Sequence, residues 1–393
     1  MINEKDQNLN SYYRAQKRLV YFTENIIQKY AQQRNFDFHD KKKNCVSGLS
    51  AAINRRIIAE WDVARHVLSF HPYTKVEKFI QEICWRTYWK GYLEHYPSIW
   101  HRYIKDVEKM QELKNYLNFK NAVSAKTGIE CFDFWMDELK NNGYLHNHSR
   151  MWFSSIWTHT LNLPWQLGAD VFMQYLLDGD PASNTLSWRW VAGLHTRGKT
   201  YLANAENIKK FTGGLFFPTN QLSKTPKFVF EDENHSLKKL EFKQDNREGI
   251  QCLLVHESDL LLEGTPECDL VLVQKRPLQT TSRSENVRTF ISSALKNYQN
   301  ELSKNHDKEI IIVDLENIAF FKKIISDRNL ISIHTFYPSV GPVYDQIQTM
   351  RSHKIQFNFL YRKWDKEFWP HSSKGFFKMK HKIHPILKKL NYT

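Results

Sequence analysis

Glu82, Trp85 and Arg86 stand close together in the stretch VEKFIQEICWRTYWKGYL. At the helical spacing of about 100° per residue, Ile80, Ile83, Cys84 and Thr87 form an ordinary apolar face. Phe79, Glu82, Trp85, Arg86 and Trp89 cluster on the other side. A carboxylate, a guanidinium and three rings on one stripe suit a cavity wall, where rings stack on a flat ligand and charges orient it. The same stripe also describes a structural ion pair laid over packed aromatics. In NNGYLHNHSRMWFSSIW, helical spacing puts Tyr144, Asn147 and Met151 on one face with Arg150 at its edge. In LLDGDPASNTLSWRW, Asp178, Asp180 and Asn184 precede Trp188 and Trp190. Two acids so spaced could ligate a metal, but no histidine or further carboxylate completes a set. The expectation is no metal, and carboxylates that bind an arginine or a ligand N–H. His146 and His148 could act as general bases, although two histidines in one turn are more often satisfied core or surface groups.

The elements that must position these residues differ along the chain. Of 12 tryptophans, ten lie between Trp61 and Trp190. Residues from about 10 to 210 read as mostly helical, with apolar residues at three- and four-residue spacing in LVYFTENIIQKY, FDFWMDELK and ADVFMQYLL. Residues 216–249 are polar and mixed, a linker. Beyond them, the short apolar runs CLLV, LVLV, EIIIVDL and LISIHTF alternate with helical patterns such as VRTFISSALKNYQNELSK and IAFFKKIISDR. That alternation predicts an open, largely parallel α/β sheet. Neither GxGxxG nor GxxxxGK[ST] occurs in it.

At 393 residues the chain exceeds the usual reach of one core, so two domains are expected. A net charge of +14 favours a polyanionic partner, nucleic acid or an anionic membrane face. Five scattered cysteines without CxxC suggest neither a zinc site nor a disulfide framework, and fit a reducing, cytoplasmic setting. The first residues hold no apolar leader segment, and no stretch reaches the roughly 18 apolar residues of a membrane span.

Together the motifs become specific. YLHN-x-x-RM, then LDGD-x-x-x-N-x-x-x-W-x-W, with E-x-x-WR about 60 residues before the first, resembles the flavin-binding domain of photolyases and cryptochromes. YAQQRNF from Tyr30 and VSGLSAAINRR resemble that family's tyrosine entry and phosphate-cradling loop. In that loop Val46 stands where threonine is usual and Gly48 where arginine is usual, which implies fewer phosphate contacts. The resemblance covers roughly residues 25–205.

The resemblance implies FAD as cofactor and assigns roles residue by residue. Arg150 lies against the flavin and pairs with Asp178, Asp180 is near the polar ring edge, and Asn184 faces flavin N5, where a neutral amide tolerates an anionic reduced flavin. Tyr30, Ser47, Leu49, Ser50, Arg86 and Asn147 hold the rest of the cofactor. Glu82, Trp85, Tyr144, Asn147, Met151 and Trp190 receive a flipped pyrimidine dimer, the indoles packing the lesion and the carboxyl group bonding its base edges. Asn147 and Met151 stand where six-four photolyases carry histidines, which favours cyclobutane dimers. Trp188 and Trp165 match the inner and middle members of the electron-supply chain. No residue matches the outer member, for which Tyr116 or Trp157 would have to substitute in photoreduction. The iron–sulfur subgroup is excluded because no four-cysteine set exists in this domain.

The fold implied is multidomain: an all-helical FAD-binding domain over 1–215, a linker over 216–249, and a Rossmann-like α/β antenna-type domain over 250–393. The family's usual order is the reverse, and LISIHTFYPSVGPVYDQI with LYRKWDKEFWPHSSKGFFKMKHKI resembles the end of its antenna domain, so a circular permutation is inferred. SDLLLEG from Ser258 resembles the antenna domain's opening, and Val340 replaces the glutamate of folate-type antennas, which leaves the antenna chromophore uncertain. The expected function is light-driven repair of cyclobutane pyrimidine dimers in DNA by a monomer. The alternatives are a cryptochrome-like blue-light photoreceptor without repair, and a non-catalytic nucleic-acid binder on a degenerate flavin fold.

Overall fold

The runs CLLV and LVLV are apolar at every position because they become strands buried on both faces. They form β1 (Cys252–Val255) and β2 (Leu270–Gln274), followed by β3 (Glu309–Val313), β4 (Ile333–Phe336) and β5 (Phe357–Leu360). All neighbours are parallel, in the order β3-β2-β1-β4-β5, the order of doubly wound sheets. The helices Glu285–Asn305, Ile318–Asp327 and Pro342–Ser352 make the crossovers that parallel strands require. Leu254, Leu272, Val313, Phe321, Ile333, Ile347 and Phe357 fill the core beneath them. The four runs expected as strands are strands, and FNFL adds a fifth.

The computed structural model describes residues 9–38, 40, 43–196, 199–231, 234–242, 247–305 and 308–392. The chain forms two compact units. One combines the sheet with helical segments from early in the chain: Met1–Glu24, Ser47–His95 and Leu237–Thr393. The other, Asn25–Val46 with Tyr96–Ser236, is helical. The helix Tyr73–His95, which carries Glu82, Trp85 and Arg86, thus belongs with the sheet. Among the described residues, 216–249 contain neither helix nor strand, and no helix is long and apolar enough to cross a membrane.

What ties the early segment to the sheet is a buried ionic network. Arg56 donates to both oxygens of Asp365 at 2.7 and 2.6 Å, to Asp259 at 3.2 Å and to Glu60 at 3.4 Å. Arg362 reaches Asp259 at 2.8 and 3.1 Å and lies over the Phe336 ring, 3.3 Å from its centroid. Arg283 and Arg55 meet Glu257. Burial disfavours the charged carboxylate of Asp259, but Arg362 and Arg56 overcome it and hold the group well below the usual carboxylate range.

The helical unit is built on rings. Phe132 stacks on Phe153 at 4.3 Å and Trp135 on Trp152 at 5.5 Å. The tryptophan density of the first half of the chain is therefore largely core material.

In the sheet-bearing unit, Glu94 is buried and accepts from Val340 N–H at 2.7 Å and from the Tyr337 hydroxyl at 2.8 Å. Burial pushes its carboxyl up to about 7, against those hydrogen bonds. The folded state binds this proton more tightly than the unfolded chain does. The resulting stability is complete below the carboxyl's ordinary value of 4.5 and is lost as pH rises through 7. Glu94→Gln, which cannot ionise, should gain on the wild type between about pH 5 and about pH 8, by roughly 1.4 kcal/mol per unit of displacement. Urea unfolding at the two pH values measures this, and an equal difference at both would contradict it.

Candidate functional site

In the sheet-bearing unit the candidate residues sit on a turn and a helix. Ser47 and Gly48 lead into the short helix Ser50–Asn54, with Leu49 wholly buried and its N–H donated to Ser47 Oγ at 3.3 Å. Arg86 donates to Asn54 Oδ1 at 3.2 Å, which fixes the guanidinium against the end of that short helix. Glu82, Trp85 and Arg86 are half-buried on Tyr73–His95. The five-residue stripe read from the sequence divides here. Phe79 and Trp89 are buried, Phe79 packing on Phe22 at 4.8 Å, because this helix is enclosed on more than one side. Trp85 stacks on Phe376, centroids 3.7 Å apart and planes 12° from parallel. One indole face is therefore taken by the protein. Phe376 was not among the candidate residues; it lies in the LYRKWDKEFWPHSSKGFFKMKHKI segment, read as resembling the end of the antenna domain.

In the helical unit the candidates gather around Arg150. Its Nε donates to Leu145 O at 2.9 Å, its Nη2 to Asp178 at 3.0 Å, and its guanidinium lies 5.5 Å from the Tyr144 ring centroid. Three contacts in three directions leave the guanidinium one orientation. Asp178 is buried, so its charge is strongly coupled to this partner. Tyr144 lies in the turn before the helix Asn147–Ser155, not on the helical face expected for it. The helix starts later because His146 caps it, Nδ1 accepting from His148 N–H at 3.2 Å. His148 in turn stacks on Trp152 and bonds Asn35 O, so both histidines have structural employment. Asn147 is exposed and Met151 half-buried, while Tyr30 is buried on Ile27–Gln33.

Asp180 caps the helix Pro181–Val191, Oδ2 accepting from Ser183 N–H at 2.8 Å with Pro181 in the first turn. One turn on, Asn184 is buried and donates Nδ2 to Ala169 O at 2.8 Å. With the nitrogen so engaged, the amide presents its carbonyl oxygen as the remaining end. Trp188 is edge-on to Phe172 at 5.1 Å and to Trp157 at 6.3 Å. Trp165 stacks on Tyr103 at 5.9 Å, with the Arg189 guanidinium 5.9 Å from its ring centroid. Trp190 is half-buried against Tyr201 at 5.5 Å. Tyr103 was missed by sequence reasoning, since nothing local links it to a residue 62 positions away. Among the described residues no three histidine, cysteine or acidic side chains are placed to hold a metal ion.

The approach of Trp188 depends on Gly168, where a Cβ would stand 2.3 Å from Trp188 Cη2 and 2.9 Å from Trp157 Nε1. Gly168→Ala should therefore cost about 1–3 kcal/mol through displaced indoles. A change below about 0.5 kcal/mol in urea unfolding, with unaltered tryptophan fluorescence, would show that the rings are not so confined.

Residues 79–239 match the family model described as the FAD binding domain of DNA photolyase. A deoxyribodipyrimidine photo-lyase of Buchnera aphidicola is 30% identical over 191 residues, 47% of this chain and 39% of that protein. The deoxyribodipyrimidine photo-lyase of Escherichia coli K12 is 27% identical over 186 residues, covering 46% of this chain and 39% of its own length. Among solved structures, a bacterial class III photolyase from Agrobacterium tumefaciens aligns over 52% of this chain and 43% of its own, at 27% identity and a TM-score of 0.44. The chain thus spans less than half the length of these relatives.

Proposed function

The chain belongs to the photolyase/cryptochrome family through the FAD-binding domain matched at residues 79–239, and from that premise we propose that it repairs cyclobutane pyrimidine dimers in DNA by light. FAD is the cofactor. The donor set in the helical unit fits a flavin: an oriented guanidinium on a buried carboxylate, a fixed neutral amide, and at Ser183 a buried hydroxyl oxygen without a partner among the described residues. When bound, reduced and excited, the flavin supplies the electron that opens the cyclobutane ring and receives it back.

The protein's share is positioning. Arg150, held by Leu145, Asp178 and Tyr144, provides a fixed positive charge that favours an anionic reduced ring. Asn184 offers a carbonyl oxygen to a ring N–H and adds no charge that would oppose reduction. Tyr30, Ser47, Leu49, Ser50, Arg86, Asn147 and Asp180 complete the cofactor's contacts in this reading. Glu82 hydrogen-bonds the base edges of the lesion, and Trp85, Trp190, Met151 and Tyr144 bound its apolar surfaces. The surplus of 56 basic over 42 acidic side chains draws in the phosphate backbone.

The observation that carries repair over signalling is Trp85. Stacked on Phe376 and half-buried within a turn of Glu82, it sets an indole near the carboxyl group that this reading gives to the base edges. The reading includes a circular permutation, with the helices of residues 12–211 preceding the sheet of residues 252–360.

Recovery of base absorbance from a defined dimer oligonucleotide, by protein reduced beforehand, tests this in light and darkness. Wild-type protein should restore it only in light. Glu82→Ala and Trp85→Ala should each retain FAD and lose about 10-fold or more in repair. Full repair by both variants would remove these residues from the mechanism. Absence of repair by a wild type that holds FAD would move the function to blue-light photoreception.

A further inference from the structure

The helix Phe376–Lys389 carries five lysines, two histidines and no acidic residue. At the helical spacing of about 100° per residue its side chains sort into two arcs. Phe376, Met379, Ile383, Ile386 and Leu387 span about 100° and are buried in the sheet-bearing unit. Phe377, Lys378, His381, Lys382, Lys388 and Lys389 fall within about 140° on the opposite side, and all six are exposed. The apolar stripe thus belongs to the core, and the outward face is basic.

The protein itself cancels little of that charge. Among the described residues Lys389 meets Glu367 at 2.7 Å, while Lys378, Lys382 and Lys388 form no ion pair. Like charges crowd instead: burial first, and then the Lys382 ammonium, lower the pKa of His371. A polyanion relieves such crowding, and both nucleic acid and an anionic membrane are polyanions. A helix that lies on a membrane sinks its apolar stripe among the lipids, but here the core already holds that stripe. The outward face keeps a single large ring, Phe377, 74% exposed in the first turn. One ring beside a row of lysines suits a nucleic acid, whose bases meet rings and whose phosphates meet ammonium groups.

The face begins beside the residues given to the lesion. Phe376 stacks on Trp85 with centroids 3.7 Å apart, and the Phe377 ring stands 6.3 Å from that of Phe376. From Lys378 to Lys389 the basic row runs about 16 Å along the helix. We propose that this face of Phe376–Lys389 binds the phosphate backbone of DNA beside the lesion, extending the interface from Trp85 along the helix. The inference rests on the repair reading above for the place of the lesion at Trp85. Its contacts are to phosphate, so they strengthen binding without selecting damaged over undamaged DNA.

Full-length protein is titrated in darkness with an undamaged duplex, and with the same duplex carrying one cyclobutane dimer, at several salt concentrations. The double variant Lys378→Gln, Lys382→Gln should bind both about 10- to 100-fold more weakly at low salt. The slope of log affinity against log salt should fall by roughly two, and in Lys388→Gln by roughly one. The affinity ratio between the two duplexes should not change, and every variant should melt with the wild type. Unchanged affinity and slope in both variants would overturn the proposal. So would a loss matched by a lower melting temperature, which would mark the lysines as merely structural. Variants that keep their DNA affinity but lose binding to phosphatidylserine vesicles would overturn it in favour of a membrane. A wild type that binds the two duplexes equally would instead count against the lesion reading, and the variants on undamaged duplex would still decide the role of the helix.

Discussion

The buried charge of Arg56 is the constraint around which the sheet-bearing unit is arranged. A guanidinium taken out of water is tolerable only when carboxylates surround it, and here Glu60, Asp259 and Asp365 come from three parts of the chain to do so. With Arg55, Arg283, Arg362 and Glu257 added, four guanidinium groups face four carboxylates, and the named charges balance. Removing any one unbalances the set by one buried charge, and breaking a buried pair of this kind costs about 3–5 kcal/mol. Because Arg55 and Arg56 directly follow the helix Ser50–Asn54, the network also fixes the turn that holds Ser47 and Gly48. The sheet therefore acts on the candidate cofactor residues mechanically, through an ionic anchor.

That anchor occupies a particular place on the sheet. Doubly wound sheets take ligands outside the carboxyl ends of the strands where the order reverses, here between β1 and β4. In this protein His256, just after β1, bonds Phe336 O at the end of β4 at 2.9 Å, and Arg362 lies on the Phe336 ring while gripping Asp259. Side chains of the protein itself thus line this end of the sheet.

Much of this architecture was legible because it is local. Strands buried on both faces announce themselves as continuous Leu, Val and Ile, and the crossover helices by their period, so β1 to β4 could be read directly. FNFL could not, since four residues with a central asparagine give neither a run nor an alternation. The stripe on Tyr73–His95 was half legible. Spacing separates two faces of a helix, but it cannot say that a helix is enclosed all round, and Phe79 and Trp89 consequently went to the core. The pairs that matter most were illegible in principle. Arg56 and Asp365 are 309 residues apart, and no spacing rule connects Trp85 with Phe376 or Arg18 with Ser47. Arg150 and Asp178 were legible only through motif resemblance, their 28-residue separation being equally silent.

The tryptophans show the same division between type and environment. Trp188 and Trp165 share a residue type and an implied role, yet their surroundings differ electrostatically. Trp188 is packed among Phe172, Phe153 and Trp157, neutral rings that neither favour nor oppose a positive hole. Trp165 lies beside the Arg189 guanidinium, which would oppose one. Arg189 is buried and donates to both oxygens of Glu231 at 2.7 and 2.5 Å, so the cation is met by a carboxylate at hydrogen-bond distance and its field at Trp165 is largely cancelled. Beyond Trp165 stands Tyr103, whose phenol burial holds well above its ordinary titration range. A tyrosine that keeps its proton is a poor resting place for a hole, because oxidation makes the phenol a strong acid that needs an acceptor. The Glu231–Arg189 pair thus leaves Trp165 in a nearly neutral setting, and Tyr103 covers that ring by stacking.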